Sequence, residues 1–215
     1  MEADVPSPEQ QLQETDRSSG VEEEPQSGRE RLARQLSIIG HPFILLVVYV
    51  AVASSAHVSW QNTIWAVAIV LGVSILPMTL YLCRLVRQGR SNFDISSQDK
   101  RGPAYALGLV LGVVLWVIFY WLGTPEELLR HLVIGIAMVV VASLINLRLK
   151  VSLHSAFSGW VASALLHFQP ILGVGVILLA LAVMWSRLEL KRHTLPEVGT
   201  GFLLGLLMSL PVHFF

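Results

Sequence analysis

Charge is scarce in this sequence: 14% of its 215 residues are Asp, Glu, Lys or Arg, where soluble domains carry about a quarter. With 53% of residues hydrophobic and a mean hydropathy of +0.62, that shortage excludes an ordinary soluble enzyme. Cysteine is almost absent. The single thiol, Cys83, excludes an internal disulfide and any multi-cysteine metal centre, and reads as an inert group near a helix end. Net charge is absent too, since fifteen cations balance fifteen anions, so no global field attracts nucleic acid.

Acidic residues are missing from most of the chain because nine of the fifteen lie in the first thirty positions. Residues 1–37 are rich in Glu, Ser, Pro, Gln and Gly and poor in large apolar side chains. Such a segment cannot bury enough surface to offset its chain entropy, so it is expected to be a disordered acidic tail. It does not read as a signal peptide, which starts short and basic.

What remains, 38–215, is expected to be one transmembrane domain. Apolar runs fall at about 38–56, 62–83, 104–122, 128–147, 153–168, 171–186 and 197–214. A bilayer offers no water to backbone groups, and uninterrupted apolar runs without period-two alternation exclude a barrel. The expected fold is therefore an all-α integral membrane bundle of about seven transmembrane helices, with a tight hairpin, or else one kinked helix, at Gln169-Pro170. Alternate crossings put the tail, 84–103, 148–152 and 187–196 on one side, together with fourteen of the fifteen Lys and Arg residues. The positive-inside rule makes that side cytoplasmic, which suits an inner cell membrane.

The same count brings three ionisable clusters to that face. They are Asp99-Lys100-Arg101-Gly102-Pro103, then Lys150-Val151-Ser152-Leu153-His154, then Ser186-Arg187 followed by His193 and Glu197. His193 and Glu197 are four apart at a helix start, so the carboxylate can hold one ring nitrogen and leave the other basic and nucleophilic. Arg187 ends the preceding helix, where a planar guanidinium binds two oxygens of a phosphoryl group. Lys191 and Arg192 read as ordinary juxtamembrane charges. Asp94 and Glu189 read as solvated loop charges. His41, His57, His131, His167 and His213 have no mutual ligand spacing and read as interfacial or packing residues, so no metal site is expected. The four-residue spacing of Gly108 with Gly112, and of Gly201 with Gly205, is that of close helix packing but recurs by accident in such runs.

Ser186-Arg187, five residues, His193, three residues and Glu197 resembles the third motif of the type 2 phosphatidic acid phosphatase superfamily, with Glu in place of Asp. Ser152-Leu153-His154 resembles a reduced second motif, lacking its Pro and with Leu for Gly. Arg101-Gly102-Pro103 resembles the end of the first, whose upstream Lys is replaced by Asp94. The resemblance covers about 60–210. It implies that His193 attacks phosphorus to form a phosphohistidine, that Glu197 fixes its tautomer, and that His154 protonates the leaving alkoxide and then activates water. Arg101, Arg187 and Ser152 would bind phosphoryl oxygens, with Lys100 or Lys150 standing in for the missing Lys. No cofactor is implied. The expected partners are the bilayer and a membrane lipid phosphate, whether phosphatidic acid, phosphatidylglycerol phosphate or an isoprenyl phosphate. The alternatives are a catalytically weak or inactive relative that binds lipid phosphates, and a small anion transporter.

Overall fold

The computed structural model describes residues 27–90, 93, 95, 97–98 and 101–214. Among these there is no strand. The helices are α1 Gly28–Ile39, α2 Pro42–His57, α3 Trp60–Arg87, α4 Gly102–Trp121, α5 Glu126–Ile145, α6 Leu153–Phe168, α7 Pro170–Glu189 and α8 Leu195–His213, the last ending in a 3-10 turn. Every apolar run of the sequence is helical.

Five of these helices, α3, α4, α5, α7 and α8, are long and apolar enough to cross a membrane, so the protein is a multi-pass membrane protein. The expected seven spans are thus resolved more coarsely. The α1–α2 pair, bent by 44°, would make a sixth as one broken span. Helix α6 has 16 residues, about 24 Å, against a hydrocarbon thickness of about 30 Å. It is also the most enclosed helix, with α2, α7 and α8 packed around it.

Small residues explain that position. Ser155, Ala156, Ser158, Gly159, Ala162, Ser163 and Ala164 leave α6 thin, and helix association in lipid depends on such close approach. On α8, a Cβ at Gly201 would lie 2.5 Å from the carbonyl oxygen of Ser152, and one at Gly205 would overlap that of Ala156. Gly201 and Gly205 are therefore a true contact stripe. Gly108 and Gly112 face only side chains of Met78 and Ile136. The turn at Gln169 is a hairpin, with Gly173 of α7 against the backbone of Leu166.

Two local features depart from the sequence expectation. The tail was expected to be disordered through 37, yet α1 begins at Gly28, capped by the Ser27 hydroxyl, which accepts from the Glu30 amide at 3.2 Å. The reason is that 28–39 is amphipathic, burying Ala33 and Ser37 against α7 while Arg31 and Arg34 stay outside. Averaging over the acidic tail hides this pattern; residues 1–26 lie outside the described residues. In α3, Leu71–Ile75 widens into a π turn just before Pro77, whose ring clashes with the preceding turn and which has no N–H to donate.

Helix α3 packs on α2 and α4 packs on α5, and a cavity of about 620 Å³ lies among these helices and α6. One end reaches His41, Arg101 and His193; the other reaches Gly123 and Thr124.

Candidate functional site

The ionisable site is assembled where four chain segments meet. Helix α7 ends at Glu189, and Lys191 takes a left-handed φ of 51° that turns the chain back. The amide of His193 then donates to the Arg187 carbonyl at 3.3 Å, tying the chain at His193 back to the end of α7. Thr194 starts α8 in a capping box with Glu197, whose Oε2 accepts from the Thr194 amide at 3.1 Å. The same oxygen lies 2.8 Å from Nδ1 of His193. A carboxylate only accepts, so Nδ1 carries the proton, and in the neutral ring Nε2 carries the lone pair. One acid therefore caps the helix and sets the tautomer.

The second segment reaches in from α6. The Ser152 amide donates to the Glu197 carbonyl at 3.2 Å, fixing the start of α6 to the start of α8. His154, in the first turn, is buried, and its Nε2 has no hydrogen-bond partner. The third segment brings Arg101, only 6% exposed, which donates from Nε to the Ile95 carbonyl at 2.9 Å and from Nη1 to the Val151 carbonyl at 2.7 Å. Arg187 is 1% exposed, and its Nη1 donates to the Ser37 hydroxyl at 2.8 Å.

Arg101, His154, Arg187 and His193 all line the cavity at this end. The carboxylates carried by the described parts of these segments are Glu197, engaged by His193, Glu189, paired with Arg29, and Glu30, paired with Arg34. Two buried guanidinium groups thus border a largely apolar space. Burial lowers the proton affinity of Arg101; the neighbouring Tyr105 and Glu197 raise it and Arg187 lowers it further. A guanidinium stays charged under such pressure.

Two expected phosphate ligands are not in this constellation. Ser152 was expected to donate to a phosphoryl oxygen; it is fully buried and does not line the cavity. Its hydroxyl is instead the N-cap of α6, accepting from the Ser155 amide at 3.4 Å and lying 3.1 Å from the Ser155 hydroxyl. Lys150 also misses the cavity, and its Nζ donates to the Arg192 carbonyl at 2.7 Å. Burial lowers its pKa, Glu197 opposes that, and Arg101, Arg187 and Arg192 add to it. Lys100, like Asp94, lies outside the described residues.

Two residues that the sequence did not mark join the site. His41 caps α2 through Nδ1, which accepts from the Phe43 amide at 3.2 Å, and packs edge-on against His154 with centroids 5.0 Å apart. Ser37 fixes the Arg187 fork. No local pattern marks either residue, because both reach the site only through the docking of α1 on α7 and of α2 on α6. Ser37→Ala should leave the bundle folded, at a cost of about 1 kcal/mol, while loosening Arg187. Weaker binding of an anionic lipid with little change in thermal midpoint is the expected pairing; a large fall in midpoint alone would contradict it.

No family model, curated protein or solved structure matches the chain.

Proposed function

We propose that this protein is a metal-independent lipid phosphatase that hydrolyses a phosphomonoester or diphosphate of a membrane lipid through a phosphohistidine, in the manner of the type 2 phosphatidic acid phosphatases. The observation that carries the reading is the His193–Glu197 pair at the rim of an apolar cavity shared with Arg101, His154 and Arg187. A lipid would place its chain in the cavity and its phosphate at the rim. Arg101 and Arg187 would neutralise the non-bridging oxygens, which is most of what phosphoryl transfer requires of a protein.

Nε2 of His193 would attack phosphorus as the bond to the lipid oxygen breaks, with His154 giving that oxygen its proton. Water, losing a proton to His154, would then cleave the phosphorus–nitrogen bond and release inorganic phosphate. On this reading the helices cross seven times, with the site and the N-terminus on the cytoplasmic face of an inner membrane, as the cation asymmetry indicates. A second reading, a relative that binds lipid phosphates without turnover, gains support from Ser152 and Lys150, whose polar groups serve the fold instead of the cavity.

The two readings separate in one assay. Purified protein should release phosphate from a panel of lipid phosphates in the presence of a metal chelator. Glu197→Gln, which can donate to Nδ1 and reverse the tautomer, should slow release by about 10²- to 10⁴-fold, in the range seen when the orienting acid of a catalytic triad is replaced by its amide. Lipid binding without release by the unaltered protein would leave the binding reading in place.

A further inference from the structure

Helix α1 covers the last two turns of α7. Gly40, just past its end, sits where a Cβ would overlap the Val183 side chain, the Ser37 hydroxyl holds Arg187, and Arg29 pairs with Glu189 at 3.1 Å. Helix α7 is a membrane-crossing helix that ends at Glu189, so these contacts set the depth of α1. From Gly28 to His57, α1 and α2 make about 45 Å of helix, against a hydrocarbon core of about 30 Å. Helix α2 carries no Asp, Glu, Lys or Arg and belongs in that core. Helix α1, bent from it by 44°, is left at the level of the lipid head groups.

Only the inward side of α1 meets the candidate site. Its outward side has two flanks of different chemistry. Leu32, Leu36 and Ile39, spaced four and three apart, share one flank, where Leu32 is 50% and Ile39 51% exposed. Arg31 and Arg34, three apart and both exposed, share the other. The turn after α7 adds Lys191 and Arg192, so with Arg29 five cations stand against Glu30 and Glu189 on α1 and the end of α7. Aliphatic groups beside arginines at the edge of the hydrocarbon complement acyl chains topped by phosphates. An anionic lipid surface has that chemistry, and each cation near it adds attraction.

We infer that the outward face of α1 docks on an anionic bilayer surface, and that this docking holds α1 against the end of α7, so that the charge of the membrane surface bears on Arg187. Two contacts carry the coupling: Ser37 to Arg187 and Arg29 to Glu189. The inference needs no turnover and stands apart from the phosphatase reading. The full-length protein is placed in nanodiscs of phosphatidylcholine, alone or with about a third phosphatidylglycerol, and backbone hydrogen exchange is followed by mass spectrometry. Exchange in α1 should be about tenfold or more slower in the anionic discs, and exchange over 188–193 should slow with it. About 1 M salt, where the screening length is about 3 Å, should erase the difference, as should the double variant Arg31→Gln, Arg34→Gln. Equal exchange of α1 in the two discs would overturn the docking, and needs no variant to fold. Slowing in α1 without slowing over 188–193 would overturn the coupling to Arg187. If α1 is equally protected in both discs but loses that protection in the triple variant Glu22→Gln, Glu23→Gln, Glu24→Gln, the acidic segment before Ser27 covers this face instead, and the inference fails.

Discussion

His193→Ala should abolish phosphate release, with a loss of about a thousandfold or more, while the protein stays folded and retains lipid. The expectation of folding follows from how Glu197 is held: its carboxylate still accepts from the Thr194 amide when the imidazole is gone, so the α8 cap survives. The expectation of binding follows from Arg101 and Arg187, which the Ile95 and Val151 carbonyls and the Ser37 hydroxyl hold. The check is phosphate release and lipid affinity on the same preparation, with the thermal midpoint as control. Full activity in this variant would remove His193 from the chemistry.

The second large effect concerns the scaffold. Gly205→Leu should cost about 3 kcal/mol or more, because a Cβ there meets the Ala156 carbonyl and lies 2.7 Å from the Trp160 backbone nitrogen. These are backbone atoms and can yield only if α6 and α8 separate. That separation also undoes the Ser152–Glu197 backbone bond and moves His154 away from His193. A fall in thermal midpoint together with lost activity is expected. Gly175→Ala on α7, where nothing lies within 4 Å of the added carbon, should leave both unchanged. Equal behaviour of the two variants would mean that the α6–α8 contact does not hold the site.

What the sequence makes legible follows from the range of the interactions. The seven apolar runs are visible because each is continuous, and the His193–Glu197 pair because helix geometry fixes neighbours four apart. Arg187 was legible from its spacing to His193, although the left-handed turn at Lys191 that brings them together was not. The Gly201–Gly205 stripe could not be told from the Gly108–Gly112 pair, since only the partner helix distinguishes them. Ser37 and His41 were opaque for a similar reason: each reaches the site through a residue on another helix. Ser152 misled because one hydroxyl serves equally well, on paper, as a phosphate donor or a helix cap. Helix α1 was hidden by the composition of the residues before it.

The account turns on a covalent step at one nitrogen. Protein quenched during turnover of a lipid labelled in its phosphate should carry an acid-labile, base-stable phosphoryl group that peptide mapping places on His193. That label should be absent from His193→Ala and should accumulate more slowly in Glu197→Gln. Turnover with no label on His193, or with the label on another residue, would contradict the account.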